Sequence, residues 1–233
     1  MIETSRTVLI TGATGQLGRA VVQQLRQPGT RLVLLARNAA ALQQAYGDVP
    51  QAVLVDVDLT QPMQVQERLA RVLPQVGAID AVCHLAGGFR MGDPVHTTSP
   101  QTWQYLQDVN AGSLLHLAAA VVPGMKLRRQ GAIVTVGAGA ALKGVAGMGA
   151  YCAAKSALLR LTEAMSAELK GDGIRVNCVL PSIIDTPDNR AAMPDVDFSA
   201  WVNPVALAQV IVFLISEEAR AVHGAALPVT GLL

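Results

Sequence analysis

Charged residues are scarce in this chain of 233 residues: only 15% are Asp, Glu, Lys or Arg, and the formal net charge is +1. A soluble domain usually carries nearer a quarter charged residues, so the chain is apolar for its class. A nearly neutral chain lacks the basic surface of a nucleic-acid-binding protein, and we expect no nucleic-acid partner. Aromatic residues are rarer still, at 3%, so clustered rings would be informative.

Long apolar runs and an organised set of cysteines are also absent. The longest apolar stretches, such as Leu117 to Val122, fall far short of the ~18 residues that span a bilayer, so no membrane partner is expected. Polar Glu3 to Thr7 leads directly into a strand-like run, which argues against a secretory signal. Cys83, Cys152 and Cys178 have unrelated spacings that fit neither a zinc site nor a disulfide framework. These absences predict a cytoplasmic protein with no metal site.

Short β-branched and aliphatic runs alternate with helical patterns along the chain. Most of the runs are continuously apolar, as expected for parallel strands covered on both faces. The seven predicted strands are Thr7–Ile10, Arg31–Leu35, Ala52–Val57, Ala81–Leu85, Ala132–Val136, Arg175–Leu180 and Ala226–Val229. Helical periodicity lies between them, over Leu17–Gln27, Gln64–Leu73, Trp103–Val122, Tyr151–Lys170 and Pro204–Ser216. The alternation predicts an α/β fold: a Rossmann-type, doubly wound, seven-stranded parallel sheet with helices on both faces.

No composition break, charge block or low-complexity linker divides the chain, so we predict a single domain over residues 1–233. Residues 182–202 are the one region without clear periodicity, and they contain Pro187 and Pro194. Long segments of this kind in compact domains are often functional loops. We therefore predict a substrate loop or lid over 182–202.

A glycine-rich turn follows the first predicted strand and opens the first predicted helix. Glycines permit a tight turn and let backbone N–H groups approach a pyrophosphate at the helix N-terminus. The pattern could be only a glycine-rich turn, but its position in the first βαβ unit favours dinucleotide binding. The predicted contacts are Gly12, Thr14, Gly15, Gln16, Leu17 and Gly18.

The end of the second strand bears on which dinucleotide is bound. An acidic residue there holds a ribose 2′-hydroxyl, whereas an arginine accommodates a 2′-phosphate. This chain has Arg37 and no carboxylate at that point, which favours NADP(H), with NAD(H) possible. Asp58 and its neighbour Leu59 follow the third strand, where they would meet the adenine. Asp58 could instead cap the helix before Gln64.

Tyr151 and Lys155 are four residues apart, which places a phenol and an ammonium on one helix face. At ~5 Å and an effective dielectric constant of ~20, their attraction is ~3 kcal/mol, enough to lower the pKa of the phenol by about two. Such a phenol can donate or accept a proton near neutral pH. The pair alone is common by chance, but it gains specificity from the nucleotide-binding turn upstream.

With these motifs in place, essentially the whole chain resembles the short-chain dehydrogenase/reductase family. The matching motifs are the glycine turn at Thr11–Gly18, His84-Leu85-Ala86-Gly87, Asn110, the Tyr151/Lys155 pair and Pro181 to Thr186, all in family order. The resemblance implies hydride transfer with a nicotinamide coenzyme. It also implies that the Tyr151 helix pairs with its twofold mate, so we expect a homodimer or homotetramer.

The resemblance also implies roles for individual residues. Tyr151 would be the acid/base, Lys155 would bind the nicotinamide ribose, and Asn110 would hold a water in a proton relay. Thr186 would contact the carboxamide. The further coenzyme contacts that it implies are Ala86, Gly87, Gly88, Pro181 and Ile184.

Three features depart from the family pattern. The glycines lie one, four and seven residues after Thr11, whereas the commonest branch has them at one, five and seven. Ala138 stands thirteen residues before Tyr151, where the family has a serine that stabilises negative charge on the substrate oxygen. Losing one such donor typically costs ~10²–10³ in rate, and Thr135, on the strand, is not expected to substitute. His84 with Leu85 replaces the usual Asn-Asn, which would remove a polar brace between the central strands.

One branch of the family tolerates the missing serine. Residues Gly137 to Leu142, with others up to Trp201, resemble dihydropteridine reductase. That resemblance implies a quinonoid dihydropterin or similar conjugated acceptor, which needs a proton from Tyr151 more than it needs an oxyanion donor. The alternatives are a carbonyl reductase or alcohol dehydrogenase of other specificity, and a catalytically weakened NADP(H)-binding regulatory protein.

The predicted substrate mouth combines Ala138 with three of the few rings in the chain, Phe89, Phe198 and Trp201. Phe198 and Trp201 could stack on a flat heterocycle. The commoner role for such residues is as the hydrophobic anchor of a lid.

Overall fold

Seven parallel strands form one sheet in the computed structural model, which describes residues 6–233. The strands are β1 (Arg6–Thr11), β2 (Thr30–Ala36), β3 (Ala52–Asp56), β4 (Ala81–His84), β5 (Gly131–Val136), β6 (Ile174–Pro181) and β7 (Ala226–Val229). Their order across the sheet is β3-β2-β1-β4-β5-β6-β7, and every neighbouring pair is parallel. The strand order reverses between β1 and β4, which is where doubly wound sheets bind ligands. The predicted fold class is confirmed.

The described part of the chain has eight α-helices, six of which pack on the two faces of the sheet. They are α1 (Gln16–Leu25), α2 (Ala39–Tyr46), α3 (Pro62–Val76), α4 (Pro100–Gln107), α5 (Ser113–Arg128), α6 (Gly149–Leu169), α7 (Pro187–Ala192) and α8 (Pro204–Ile215). Within residues 6–233, no helix is both long and apolar enough to cross a bilayer. Glu3 to Ser5, part of the argument against a secretory signal, lie outside the described residues.

The alternation of side chains along each strand divides the core into two clusters. In β1, Val8 and Ile10 pack with α1, α2 and α8, whereas Leu9 packs on the other face with α3, α5 and α6. All three side chains are fully buried. Burial on both faces accounts for the continuous apolar runs in the sequence, because successive strand residues point to opposite sides.

The structure corrects two of the predicted elements. The predicted helix Trp103–Val122 is helical throughout, but a π-helical turn at Asp108–Gly112 separates α4 from α5 within it. Sequence periodicity runs through this turn without a break, because a single extra residue does not interrupt an apolar pattern. Residues 182–202 are not only a loop, since they contain α7 and a short 3₁₀ turn at Phe198–Ala200.

A short helix, α2, was not predicted from the sequence. Its N-cap residue is Asn38, whose side-chain oxygen accepts a hydrogen bond from the N–H of Ala41 at 2.9 Å. An asparagine in that position is a recognised helix-start signal. This signal next to Arg37 stands alone, because a helix of eight residues is too short to establish a periodicity.

The two central strands are linked by a buried hydrogen-bonded network around Thr11. Its hydroxyl oxygen accepts hydrogen bonds from the N–H groups of Leu85 at 3.1 Å and Ala86 at 3.0 Å. Both acceptor positions of the hydroxyl are therefore in use, and its proton is left for His84 Nδ1 at 3.1 Å. His84 must accept at Nδ1, which fixes its neutral form with the proton on Nε2.

The same histidine extends the network to the π-helical turn. His84 Nε2 donates to the hydroxyl of Ser113 at 3.1 Å, and that hydroxyl donates to the carbonyl of Val109 at 2.8 Å. The expectation that His84 removes a polar brace is therefore wrong. The imidazole is longer than an asparagine side chain and has two polar nitrogens, so it connects β1 to α5 through β4.

Replacement of His84 by asparagine should change how stability depends on pH. Burial, with the positive charge of Lys155 as a second cause, lowers the pKa of His84 to about 3. The unfolded chain binds a proton at a histidine near pH 6.5 and the folded chain does not, so stability falls as pH drops below 6.5. Between pH 7 and 5, the wild type should lose about 2 kcal/mol more unfolding free energy than His84→Asn.

Urea unfolding at the two pH values measures this difference, because carboxylates that titrate in both proteins cancel. Between pH 7 and 8.5 the two proteins should change in parallel. An equal loss on acidification in both proteins would contradict the neutral, buried state of His84.

Candidate active site

The turn between β1 and α1 has no room for side chains at two glycines. Gly12 has a φ of +64°, and a Cβ there would lie 3.1 Å from the backbone nitrogen of Ala86. A Cβ on Gly18 would overlap the carbonyl oxygen of Gly12 and lie 2.7 Å from that of Ala13. These close approaches require glycine, and they bring the turn against the segment that follows β4.

The start of α1 is open to an anion. Gly15 is the N-cap residue, and no side chain within residues 6–233 caps this helix. Gln16 and Leu17 begin the first turn of the helix, so their N–H groups have no intrahelical acceptor. Uncapped N–H groups at a helix start favour a phosphate group. The cradle therefore fits the pyrophosphate of a dinucleotide.

Two residues that sequence reasoning missed hold this turn in place. The hydroxyl of Tyr46, at the end of α2, donates to the carbonyl of Ala13 at 2.6 Å. Arg19 Nε donates to the carbonyl of Thr14 at 3.1 Å. Neither residue belongs to a recognisable motif, so the sequence carried no signal for these contacts.

The residues expected around the adenosine end lie at the ends of β2 and β3. Arg37 directly follows β2 and is exposed. Asp58 accepts hydrogen bonds from the backbone N–H of Thr60 at 2.9 Å and from its hydroxyl at 2.8 Å. Gln61 is the N-cap residue of α3, so Asp58 closes a local turn rather than capping the helix. The buried residue Leu59 lies beside it.

Three elements converge on Gly87, which follows β4. A Cβ on Gly87 would lie 2.9 Å from Asn110 Oδ1, in the π-helical turn, and 3.1 Å from Lys155 Nζ, in α6. Lys155 Nζ donates to the carbonyl of Val136 at 2.9 Å and lies 5.9 Å from the centre of the Tyr151 ring. The structure thus brings together the predicted residues Asn110, Tyr151 and Lys155 beside the end of β4.

Burial controls the ionisation of Tyr151 and Lys155. Desolvation raises the pKa of Tyr151 to about 12, with Cys152 as a smaller cause. Desolvation also lowers the pKa of Lys155, only 5% exposed, to about 8, against a smaller raising effect of Cys178. The expectation that Lys155 lowers the pKa of Tyr151 by about two is wrong for this structure, because desolvation raises that pKa instead. At neutral pH, Tyr151 keeps its proton and can donate it.

Asn110 has well-defined partners in the structure. Its side-chain oxygen accepts from the N–H of Gly88 at 3.2 Å, and its side-chain nitrogen donates to the carbonyls of Gly88 and Leu106, both at 3.0 Å. The residue is fully buried. The π-helical turn places it where it fixes the Gly87–Gly88 segment. A role in holding water stays a prediction.

Ala138 lies just after β5, and among residues 6–233 the hydroxyls on the elements around it do not replace the missing one. Thr135 donates to the hydroxyl of Thr162, 2.9 Å away, because Thr162 gives its own proton to its helix backbone. Ser156 donates to the carbonyl of Ala141 at 2.7 Å, and Ser182 donates to that of Thr230 at 2.7 Å. These three hydroxyls are therefore committed elsewhere.

The segment after β6 is folded against the body of the protein. Ile184 forms a parallel bridge with Val202, and the predicted coenzyme contact Pro181 is the last residue of β6. Thr186 caps α7 by accepting a hydrogen bond from the N–H of Asn189 at 3.2 Å. This capping leaves the hydroxyl proton of Thr186 available to a ligand.

The predicted aromatic mouth is only partly present. Phe89 is 52% exposed and contacts Tyr151 edge to face, with ring centres 4.8 Å apart. Phe198 packs against Trp201 at 4.8 Å and carries the guanidinium of Arg190 over its ring at the same distance. Trp201 is only 5% exposed, which favours the role of a hydrophobic anchor, and its contact with substrate stays a prediction.

Arg190 makes a second contact that the sequence did not reveal. Its guanidinium pairs with the two carboxylate oxygens of Asp185 at 2.5 and 2.7 Å. This pair and the ring of Phe198 hold α7 against the residues before it. The substrate segment therefore has its own local supports, and Phe198 is the aromatic side chain in it that remains half-buried.

Comparisons with known proteins agree with this geometry. A family model described as short chain dehydrogenase matches residues 6–197. The inactive 2-(S)-hydroxypropyl-CoM dehydrogenase 2 of Xanthobacter autotrophicus is 32% identical over 218 residues, which cover 87% of this chain and 94% of that protein. The 3-oxoacyl-(acyl-carrier-protein) reductase FabG of Vibrio cholerae is 29% identical, with 97% of this chain and 96% of that protein covered.

A solved structure is similarly close. The L-sorbose reductase from Gluconobacter frateurii, complexed with NADPH and L-sorbose, superposes with a TM-score of 0.89 at 26% identity. The match covers 99% of this chain and 97% of that one.

Gly87→Ala should disrupt the centre of the site without unfolding it. The added Cβ would meet Asn110 Oδ1 and Lys155 Nζ at about 3 Å, so one of the two side chains must move. We expect NADPH, titrated by its fluorescence, to bind at least tenfold more weakly, about 1.4 kcal/mol. Gly144→Ala is the control, because a Cβ there meets no described atom within 4 Å. Equal affinities in the two variants would show that the site does not have this geometry.

Proposed function

Because the chain belongs to the short chain dehydrogenase family, whose members use NAD(P)(H), we propose that it is a reductase in which Tyr151 protonates a conjugated acceptor. Quinonoid dihydropterins and conjugated carbonyl compounds belong to this acceptor class. The observation that carries the proposal is the combination at one site of a protonated phenol, an intact Lys155 and Asn110, and Ala138 in place of a hydroxyl donor.

The residues of the site fit a nicotinamide coenzyme. Gly12 and Gly18 form a cradle that any Cβ would fill, and Gly87 leaves space beside Lys155. The uncapped start of α1 would hold the pyrophosphate, and Lys155 would bind the nicotinamide ribose. The coenzyme supplies the hydride when bound. Arg37 would meet a 2′-phosphate, which favours NADP(H).

Tyr151 is the proton donor in this proposal. Its phenol is protonated at neutral pH because burial raises its pKa to about 12. Lys155, which keeps its proton below a pKa of about 8, offers a positive charge to the phenolate left after transfer. That charge is effective because both groups are largely removed from water.

The absence of a hydroxyl at Ala138 makes the rate depend on the type of acceptor. Hydride addition to an isolated ketone concentrates negative charge on one oxygen, which the family's serine would stabilise. A conjugated acceptor spreads that charge over several atoms, so it depends less on one donor. The proton from Tyr151 then completes the reduction. This reasoning favours conjugated acceptors over simple ketones.

A second candidate is a coenzyme-binding protein with weakened catalysis. It is favoured by Ala138 together with the similarity to a relative whose name describes it as inactive. The intact Asn110, Tyr151 and Lys155 favour the reductase, because a protein that only binds coenzyme has no need of a proton donor. A reductase of simple ketones is a third possibility, but it would need a bound water to replace the missing hydroxyl.

A panel of acceptors tests the proposal. Oxidation of NADPH and NADH should be followed with quinonoid dihydropterin, a quinone, a conjugated enone and saturated ketones. We expect the conjugated acceptors to react about 100-fold faster than the saturated ketones. Ala138→Ser should raise the turnover of the saturated ketones at least tenfold and should change the turnover of the conjugated acceptors little.

Tyr151→Phe is the companion variant in the panel. Removing the phenolic hydroxyl should lower turnover by about 100-fold or more, while the affinity for coenzyme changes less than twofold. Binding of coenzyme without turnover of any acceptor would support the second candidate. Equal rates with saturated and conjugated acceptors would contradict the role given to Ala138.

Arg37→Asp should reverse the coenzyme preference. The exposed guanidinium after β2 is expected to favour NADPH, whereas a carboxylate there repels the 2′-phosphate and can hold the ribose hydroxyls. The dissociation constant of NADPH should rise about tenfold or more, and that of NADH should fall. Arg71→Asp, an exposed change of the same charge on α3, is the control and should leave the ratio unchanged. An unchanged ratio in Arg37→Asp would mean that this residue does not meet the 2′ position.

A further inference from the structure

A cleft of about 780 Å³ opens at the amino ends of the strands, on the side of the sheet opposite the candidate active site. Its walls include Arg6 at the start of β1, Gly131 at the start of β5, and Arg175 near the start of β6. The active-site residues follow the other ends of these strands. Strands of six residues span about 20 Å, so the cleft and the active site are separated by the depth of the sheet.

Cationic side chains dominate the lining of this cleft. Two carboxylates, Asp80 and Glu217, face a much larger set of positive groups, and a histidine, His223, lies among them. The six cations are Arg6, Arg128, Arg129, Lys170, Arg175 and Arg220. They are one third of the 18 lysines and arginines of the chain. With six cations and two carboxylates, the lining has four more positive than negative groups, whereas the net charge of the whole chain is +1.

The most buried of these cations, Arg175, is held by neutral groups. Only 7% of it is exposed, and its guanidinium donates to the carbonyls of Leu214 at 2.7 Å, Ser216 at 2.8 Å and Ala219 at 3.1 Å. Carbonyl oxygens fix the position of the guanidinium, but they carry no net charge. The carbonyl groups therefore orient the positive charge without neutralising it, and Glu217 compensates part of it.

Arg6 adds to this concentration of charge. Its guanidinium donates to the carbonyl of Ile215, next to the carbonyls that hold Arg175. Desolvation lowers the pKa of Arg175, Glu217 opposes that shift, and the charge of Arg6 adds to it. The two guanidinium groups thus repel each other, and an anion between them would relieve the repulsion.

The two carboxylates compensate only part of the lining. Asp80 pairs with Arg128 at 2.8 Å. Arg129 donates to the carbonyl of Gly171 at 2.7 Å and lies 3.7 Å from Asp172. Lys170 and Arg220 are exposed, and within residues 6–233 neither side chain donates a hydrogen bond. Lys170 is therefore able to turn towards a ligand, and Arg220, which has an electrostatic interaction with Glu218, is held by no hydrogen bond.

We propose that this cleft binds a small polyanion with two or more phosphate groups, such as inorganic or nucleoside diphosphates. Guanidinium groups match phosphate oxygens in paired hydrogen bonds, and they keep their charge when buried. The volume lies in the range of small-molecule sites, about 300–1,000 Å³. A concave lining of fixed arginines with exposed cations at Lys170 and Arg220 suits a compact ligand. The proposal is independent of the reductase activity.

Calorimetric titration with sodium pyrophosphate tests the proposal, with NADH present at saturation so that the glycine turn is filled. We expect the wild type to bind pyrophosphate at least tenfold more tightly than orthophosphate, with an affinity that falls as sodium chloride rises. The double variant Lys170→Gln/Arg220→Gln should bind pyrophosphate at least tenfold more weakly. A parallel titration with ADP distinguishes a nucleoside diphosphate from an inorganic one.

The matched control is Arg71→Gln/Arg160→Gln, which removes two exposed cations from α3 and α6, outside the cleft. This control should bind pyrophosphate within twofold of the wild type. Equal weakening in the two double variants would mean attraction to net charge alone and would overturn the proposal. So would competition between pyrophosphate and NADH, or a wild type that binds neither pyrophosphate nor ADP.

Discussion

The buried hydrogen-bonded chain from Thr11 through His84 to Ser113 connects the glycine turn, the segment after β4 and the π-helical turn of the candidate active site. Thr11 holds the N–H groups of Leu85 and Ala86, so the glycine turn and the segment after β4 keep a fixed separation. At the other end, Ser113 reaches the π-helical turn that carries Asn110. Because each donor and acceptor in this chain has one possible partner, the network specifies one arrangement. A half-satisfied network at this depth would cost stability instead.

The second constraint on the site is burial. Desolvation is the main cause of the shifted pKa values of Tyr151 and Lys155, and the neighbouring thiols of Cys152 and Cys178 are the smaller causes. The shift keeps the phenol protonated and leaves the ammonium only slightly more stable than its neutral form at neutral pH. The importance of Ala138 follows from the hydrogen bonds around it. The hydroxyls of Thr135, Ser156 and Ser182 are committed elsewhere, so in the proposed reaction the chemistry of the acceptor must supply the missing stabilisation.

The sheet was predictable from the sequence because each strand is buried on both faces, and continuous apolar runs follow directly from that. The motifs at Gly12, Tyr151 and Lys155 could be placed because they act through fixed spacings along one element. The π-helical turn could not be predicted, since one extra residue leaves the apolar pattern of α4 and α5 intact. The role of His84 was also missed, because its partners Thr11 and Ser113 lie 73 and 29 residues away. The single domain, the assembly into a homodimer or homotetramer and the cytoplasmic location stay predictions.

The scarcity of charge has a different meaning once the fold is known. A net charge near zero describes an average over the chain, and it excludes a uniformly basic surface. It says nothing about six cations at positions 6, 128, 129, 170, 175 and 220, which the sheet brings together at one end of its strands. In a parallel sheet the amino ends of the strands lie together, and so do the carboxyl ends. Residues that are remote in sequence therefore meet at both ends of the strands. One end gathers the polar groups of the candidate active site, and the other gathers guanidinium groups held by carbonyls. Asp80, Asp172 and Glu217 offset this concentration of positive charge only in part, which is the physical reason to expect an anion there.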